Sequence, residues 1–157
     1  MKSLRQRRLS AKTDYRSRLA LLKSGKPRLV VRKTNRYMIA QIISSDVAQD
    51  KVVIGFTSKD LIGKGWPKEK AGSLKSLTAC YLLGLMLGNA AKAKTKEAIL
   101  DLGMYRNIQK SRLYCVLKGA VDSGLKIPHN ETKLPTLEEI NKKEDLKTIF
   151  NKMKDKL

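Results

Sequence analysis

Apolar residues fall into runs whose period changes along the chain, and each change marks an element. "RLVVRK" (28–33) and "YMIAQII" (37–43) are short runs rich in β-branched residues that read as a β-hairpin. "KVVIGFTS" (51–58) supplies a third strand after the polar turn "SSDVAQD", and a short helical turn can follow Ser58. Over about 74–91 the chain is apolar nearly all round, so this helix must be covered on more than one side. Its Cys80, Gly84 and Gly88 recur at every fourth residue, a seam of small side chains that lets a neighbour approach closely. "EAILDLG" (97–103) is a short continuous apolar run, as an interior strand would be. Ser111 caps a helix whose Leu113, Val116, Leu117 and Ala120 share one face, and Gly124 closes it.

The ends are more polar. Residues 1–12 have no apolar period and read as a basic arm, disordered when free. Thr13 is placed to cap a helix over about 14–24 with a narrow Tyr15, Leu19, Leu22 stripe, stopped by Gly25 and Pro27. Thr136 and Glu139 form a capping-box pattern opening a Lys-rich helical tail over 131–157. The order α-β-β-β-α-β-α-α predicts an α+β (mixed α/β) fold: an antiparallel three-strand meander extended by one further strand into a mixed sheet, with helices packed over it. Residues 13–130 would form the single globular domain.

With Thr34 and Asn35 as the hairpin turn, Arg32 lies opposite Tyr37, Val31 opposite Met38 and Leu29 opposite Ala40. One face then carries Leu29, Val31, Met38, Ala40 and Ile42 as a core face. The other carries Arg28, Val30, Arg32, Tyr37, Ile39 and Gln41. Threonine is uncomfortable at a left-handed turn position, so a longer loop is the alternative. A slip of one residue would exchange the faces.

Charge changes the picture. The 157 residues hold 34 Lys and Arg against 14 Asp and Glu, a formal net charge of +20. Thirteen of the cations lie within residues 1–36 beside one acid, Asp14: Lys2, Arg5, Arg7, Arg8, Lys12, Arg16, Arg18, Lys23, Lys26, Arg28, Arg32, Lys33 and Arg36. A domain this basic calls for a polyanion, on its N-terminal side. The 131–157 tail, near charge balance, reads as ordinary solvated surface. On the second hairpin face cations, Tyr37 and Gln41 suit sugar-phosphate and unstacked bases; a merely solvated face is the plainer reading. "DLGMYRNIQKSRLY" (101–114) presents Arg106, Lys110, Ser111 and Arg112 around a helix N-terminus after a turn freed by Gly103. Trp66, beside Lys64 in a Lys- and Gly-rich loop, either stacks on a base or staples the loop to the domain.

Other classes fit less well. Cys80 and Cys115 have no CxxC partner and His129 is the single histidine, too few ligands for a metal site and consistent with buried thiols in a reducing compartment. The longest apolar run, 77–91, is shorter than a membrane span needs. The Arg-rich start could imitate a mitochondrial presequence, but it runs directly into the first elements.

"KTDYRSRLALLKSGKPRLVVRKTNRYMIAQII" resembles the large-subunit ribosomal protein eighteen family in its archaeal and eukaryotic form. "GW" (65–66), "YLLGLMLG" (81–88), "EAILDLGMYR" (97–106), "SRLYCVLKGAVDSGL" (111–125) and "IPH" (127–129) follow in the same order, so the likeness covers about residues 5–135. The resemblance implies a non-catalytic, cofactor-free protein of the cytoplasmic ribosome. It would bind 5S rRNA in the central protuberance, touch the large-subunit rRNA and neighbouring ribosomal proteins, and involve neither membrane nor small-molecule substrate. It carries the RNA role onto the basic arm, onto Arg28, Arg32, Asn35, Arg36 and Tyr37, and onto Arg106, Ser111 and Arg112. With Tyr15, Arg16, Lys33, Gln41, Lys64, Trp66 and Lys110 these make the candidate site. The chain departs from the family pattern at 68–78, where "KEKAGSLKSLT" lacks the expected Gly-Asn-Thr-Pro, and in its short Lys-rich tail.

Two further classes compete. A ribonuclease-H-like nuclease has a similar strand order but needs clustered carboxylates; "RLVVRK" has none, and Asp46, Asp101 and Asp122 are scattered. A generic basic nucleic-acid-binding or membrane-surface module fits the charge alone.

Overall fold

The computed structural model describes residues 9–10, 13–47, 49–142, 144–154 and 156. Four strands, β1 (Arg28–Lys33), β2 (Met38–Asp46), β3 (Gln49–Thr57) and β4 (Ile99–Asp101), form one sheet in the order β3-β2-β1-β4. β1 to β3 are an antiparallel meander, and β4 joins β1 in parallel. The fold class is therefore the one read from the pattern. β4 is an edge strand, however, not an interior one: among the described residues it pairs with β1 alone, and the chain just before it makes a single parallel bridge from Glu97 to Lys126.

The hairpin parity is as read, but its register is shifted by two. Arg32 faces Ile39 and Lys33 faces Met38, leaving Thr34 to Tyr37 as a four-residue loop. Thr34 closes it from both ends. Its N–H and hydroxyl donate to the Tyr37 carbonyl at 2.9 and 2.8 Å, and its hydroxyl accepts from the Tyr37 N–H at 2.9 Å. A shift of two preserves the side-chain alternation, so Leu29, Val31, Met38, Ala40 and Ile42 all remain on the core face at 0% exposure.

The polar segment 44–50 is mostly strand rather than turn. β2 runs to Asp46, β3 begins opposite it at Gln49, and Ser45 pairs with Asp50. The chain reverses through Val47 at φ 42°.

α2 (Leu77–Ala91) and α3 (Arg112–Asp122) cover the core face. Ser76 caps α2, its hydroxyl accepting from the Ala79 N–H at 3.2 Å. The small-residue seam is real and reciprocal. A Cβ on Gly84 would stand well under 3.0 Å from the Val116 carbonyl oxygen, and one on Gly119 equally close to that of Tyr81. The two helices therefore touch backbone to backbone. Cys80 and Cys115 are free and buried beside this seam; burial pushes both thiols up, that of Cys115 to about 12, so neither is a thiolate at neutral pH.

α1 (Tyr15–Lys23) precedes the sheet and buries none of its residues, Leu19 being 55% exposed. Its cap is Asp14 rather than Thr13, the carboxylate accepting from the Arg16 and Ser17 N–H groups. A carboxylate is the stronger acceptor for first-turn amides.

The capping box at Thr136 and Glu139 is present, but α4 (Leu137–Ile140) is a single turn, followed by α5 (Glu144–Lys154). One side of this tail is not solvated surface. Ile140, Leu146, Phe150 and Met153 join the core, with the Phe150 ring 5.5 Å from that of Tyr81, and the Thr78 hydroxyl donates to the Ile140 carbonyl at 3.0 Å. The lysines project from the opposite face of an amphipathic helix, so the charge count concealed its apolar stripe.

Candidate nucleic-acid interface

The hairpin cations divide into two groups, and strand pairing decides which is which. β4 runs beside β1 with Asp101 level with Val30, so its carboxylate reaches the second face of β1. There the Asp101 oxygens accept from Arg28 and Arg32 at 2.8 Å each and from the Gly103 N–H at 2.9 Å. Across the sheet, Ser45 and Asp50 lie on the same face, and Arg28 donates to both, at 3.0 and 2.7 Å. Asp50 also accepts from Arg18 of α1 at 2.8 Å. The result is an alternating chain, Arg18–Asp50–Arg28–Asp101–Arg32, that ties α1, β3, β1 and β4 together.

This corrects the reading of Arg28. It is 2% exposed, its two terminal nitrogens are held by two carboxylates and a hydroxyl, and its Nε is buried without a partner, so it does not offer its guanidinium to RNA. The reason is long-range: Asp50 and Asp101 lie 22 and 73 residues away, beyond any local pattern. Arg32 is half-committed. It is bound to the Asp101 carboxylate and carbonyl and to the Val31 carbonyl, with its side chain 35% exposed. Gly103, at φ +62°, lies against the Arg32 guanidinium, and a Cβ there would approach it to 3.0 Å. Burial works to raise the Asp101 and Asp50 pKa values, but the Arg32 hydrogen bond leads the opposing causes at Asp101, and the Ser45 hydrogen bond, followed by those of Arg18 and Arg28, does so at Asp50. Both carboxyls are held below the usual range, Asp50 at about 2.

Trp66 is the second correction. It is 2% exposed, and its indole N–H donates to the Lys70 carbonyl at 3.1 Å, so it staples the loop and has no face for a base. Tyr37 is the third. It ends the hairpin loop instead of facing Arg32, and its ring is partly buried against the core. Gln41 lies over Gly55, whose open backbone leaves room for its side chain. Ser111 stands at the N-cap of α3, but its hydroxyl makes no capping bond and is buried without a partner.

What remains exposed forms a coherent surface. The hairpin loop presents Lys33, Asn35 and Arg36, with the Asn35 carbonyl held by Lys75 at 2.8 Å. Tyr105 binds this tip to the following segment. Its hydroxyl donates to the Lys33 carbonyl at 2.7 Å and accepts from the Lys33 N–H at 3.2 Å, while the Lys33 ammonium stands 5.7 Å from the ring centroid. Lys33, Arg106 and Arg112 thereby line one groove of about 620 Å³, floored by Leu77, Met104, Tyr105, Ile108 and Leu113. Lys110, at φ 55°, turns away and pairs with Glu139 at 2.6 Å. Lys64 and Arg16 are exposed and Tyr15 half-buried, none of them lining this groove. Lys2, Arg5, Arg7, Arg8 and Lys12 lie outside the described residues. The apolar floor was missed from sequence: Met104 and Ile108 looked like loop residues, and only a hydrophobic spacing of four within a basic loop signals it.

Among the described residues no group of three or more His, Cys, Asp or Glu could hold a metal ion. Asp101 is engaged by arginines, and Asp122 by the Tyr81 hydroxyl at 2.9 Å and by Lys118. No described helix is long and apolar enough to cross a membrane.

Residues 1–97 and 91–130 match the family described as ribosomal large subunit proteins 60S L5 and 50S L18. The large ribosomal subunit protein uL18 of Korarchaeum cryptofilum (strain OPF8) is 47% identical over 131 residues, which are 83% of this chain and 65% of that protein. The chain thus spans just under two thirds of the length of this curated relative.

Proposed function

Because the chain belongs to this family of large-subunit ribosomal proteins, we propose that it is a non-enzymatic constituent of the large ribosomal subunit that binds 5S rRNA. In this reading it helps attach that RNA to the large-subunit rRNA in the central protuberance, beside neighbouring ribosomal proteins, in the cytoplasm. The observation that carries the RNA contact is the groove where Lys33, Arg106 and Arg112 converge beside the exposed Asn35–Arg36 tip, with no carboxylate in its lining. The basic arm with Lys2, Arg5, Arg7, Arg8 and Lys12 adds phosphate contacts, as do Tyr15, Arg16 and Lys64 at the periphery. Arg32, Tyr37, Gln41, Lys110 and Ser111 position the surface, whereas Arg28 and Trp66 hold the fold.

Phosphate contacts make affinity salt-dependent, by about 0.7 to 0.9 in the log–log slope for each one. Competition between 5S rRNA and unrelated RNA at fixed salt tests the reading. A clear preference for 5S rRNA supports it; equal affinity for both leaves only a generic basic module. Arg36→Ala and Arg106→Ala should each flatten the slope by that increment without moving the melting temperature.

A further inference from the structure

The cationic groove is apolar within. Met104 and Ile108 leave 53% and 60% of their surface exposed, and the Tyr105 ring, which lines the same groove, is held by its two hydrogen bonds to Lys33. Arg106 and Arg112 stand at the rim, and Ser111 also lines the groove, its hydroxyl buried. The lining offers apolar contact on its floor and positive charge at its rim, which suits a ligand apolar at one end and anionic at the other.

We propose that this groove seats one unstacked nucleotide, its base on the Met104, Tyr105 and Ile108 side chains and its phosphates on Arg106 and Arg112. The inference rests on the RNA-binding reading above and adds what part of the RNA belongs here. Paired A-form RNA offers phosphates, 2′-hydroxyls and base edges, none of which gains from an apolar floor. A base taken out of its stack offers two apolar faces, and covering Met104 and Ile108 removes exposed apolar surface from water. An acidic peptide with one large apolar side chain shares some of this chemistry. The nucleotide is favoured because the rim cations continue onto the exposed Asn35–Arg36 tip, giving a basic surface longer than a single side chain requires.

The test uses the full chain and intact 5S rRNA. The double variant Met104→Ser, Ile108→Ser is titrated across a salt series, and the RNA is probed in each complex with a base-directed reagent. The expected result is a Kd raised about tenfold or more, from the lost apolar contact, with an unchanged salt slope. One base protected by the unsubstituted protein becomes reactive. If the double variant melts early, Ile108→Ala alone, at the more exposed position, carries the comparison. Wild-type Kd and wild-type protection in the variant would overturn the groove assignment and leave the rRNA reading intact. Wild-type RNA affinity combined with failure to enter the large subunit would hand the groove to a protein partner, which also overturns it. No preference of the unsubstituted protein for 5S rRNA would remove the reading and the inference together.

Discussion

Asp101→Ala is the sharpest test of how the hairpin cations are divided. The Asp101 side chain is 7% exposed and accepts three hydrogen bonds, two of them from guanidinium groups. Removing it leaves Arg28, 2% exposed, with Asp50 and Ser45 but with one arm of its guanidinium facing no acceptor. Charge-assisted hydrogen bonds contribute about 1.5 to 3 kcal/mol each. Arg32 recovers part of its share from water through its 35% exposure, so the loss comes mainly from Arg28. Breaking a buried pair from one side costs about 3 to 5 kcal/mol. For a domain of this size that corresponds to a melting temperature lower by about 6 to 20 °C. Urea unfolding followed by far-UV circular dichroism measures the difference. Arg28→Met in the same background should recover much of it, because no unpaired charge is then buried. Well below the melting temperature, the salt slope of 5S rRNA binding should match that of the unsubstituted protein. A stability change under about 1 kcal/mol would refute the account of Arg28 as a buried internal cation. So would a slope that flattens on Arg28→Met.

Other predictions follow from packing and protonation. Gly84→Ala forces a methyl group against the Val116 backbone carbonyl, which cannot rotate away. It should therefore destabilise by about 3 kcal/mol or more, while Gly72→Ala, with nothing within 4 Å of the added Cβ, should be nearly silent. Phe150→Ala removes a ring that is 3% exposed against Tyr81. It should cost about 3 to 5 kcal/mol, measured by urea unfolding; a silent substitution would mean that the tail is dispensable to the core. The Asp50 carboxyl is held at about 2 in the fold against about 3.9 in an unfolded chain. Its stabilising contribution is thus complete above pH 4 and is lost as pH falls through the folded value. After solvent screening at its partly exposed oxygens this amounts to about 1 kcal/mol. Asp50→Asn should be less stable at neutral pH and flatter between about pH 4 and 2 in acid titrations followed by circular dichroism.

The sheet, its core face and the close helix pair were legible because they rest on short-range rules: strand alternation, small residues at every fourth position, and capping patterns. The hairpin survived a wrong register because parity, not register, sorts its faces. Arg28 and Tyr37 were misplaced for a different reason. Whether an arginine on a strand faces solvent or a carboxylate depends on which strand arrives beside it, and Asp101 lies 73 residues away. The tail was misjudged because its near-neutral charge said nothing about Leu146, Phe150 and Met153 lining up on one face of α5. Of the candidate interface, the cations of the hairpin tip and of the 103–112 loop could be read from sequence. That Tyr105 would join them, and that Met104 and Ile108 would floor the space between, needed the third dimension.

The ion chain also sets the order in which the domain can mature. The meander closes with short loops and is complete once residue 57 has been made. At that stage Arg28 has Asp50 and Ser45 but not Asp101, which is synthesised only after the whole of α2. Until β4 arrives, the guanidinium must keep one side hydrated, and the second sheet face has to remain open to water. Docking of β4 therefore does more than add a three-residue strand. It expels that water, brings the Asp101 carboxylate to Arg28 and Arg32 and sets Gly103 against the Arg32 guanidinium, so the 103–112 loop is shaped in the same event. A nascent chain stalled before residue 101 would carry a wet, unfinished sheet, and the late, long-range pairing of β1 with β4 is the expected slow step of folding.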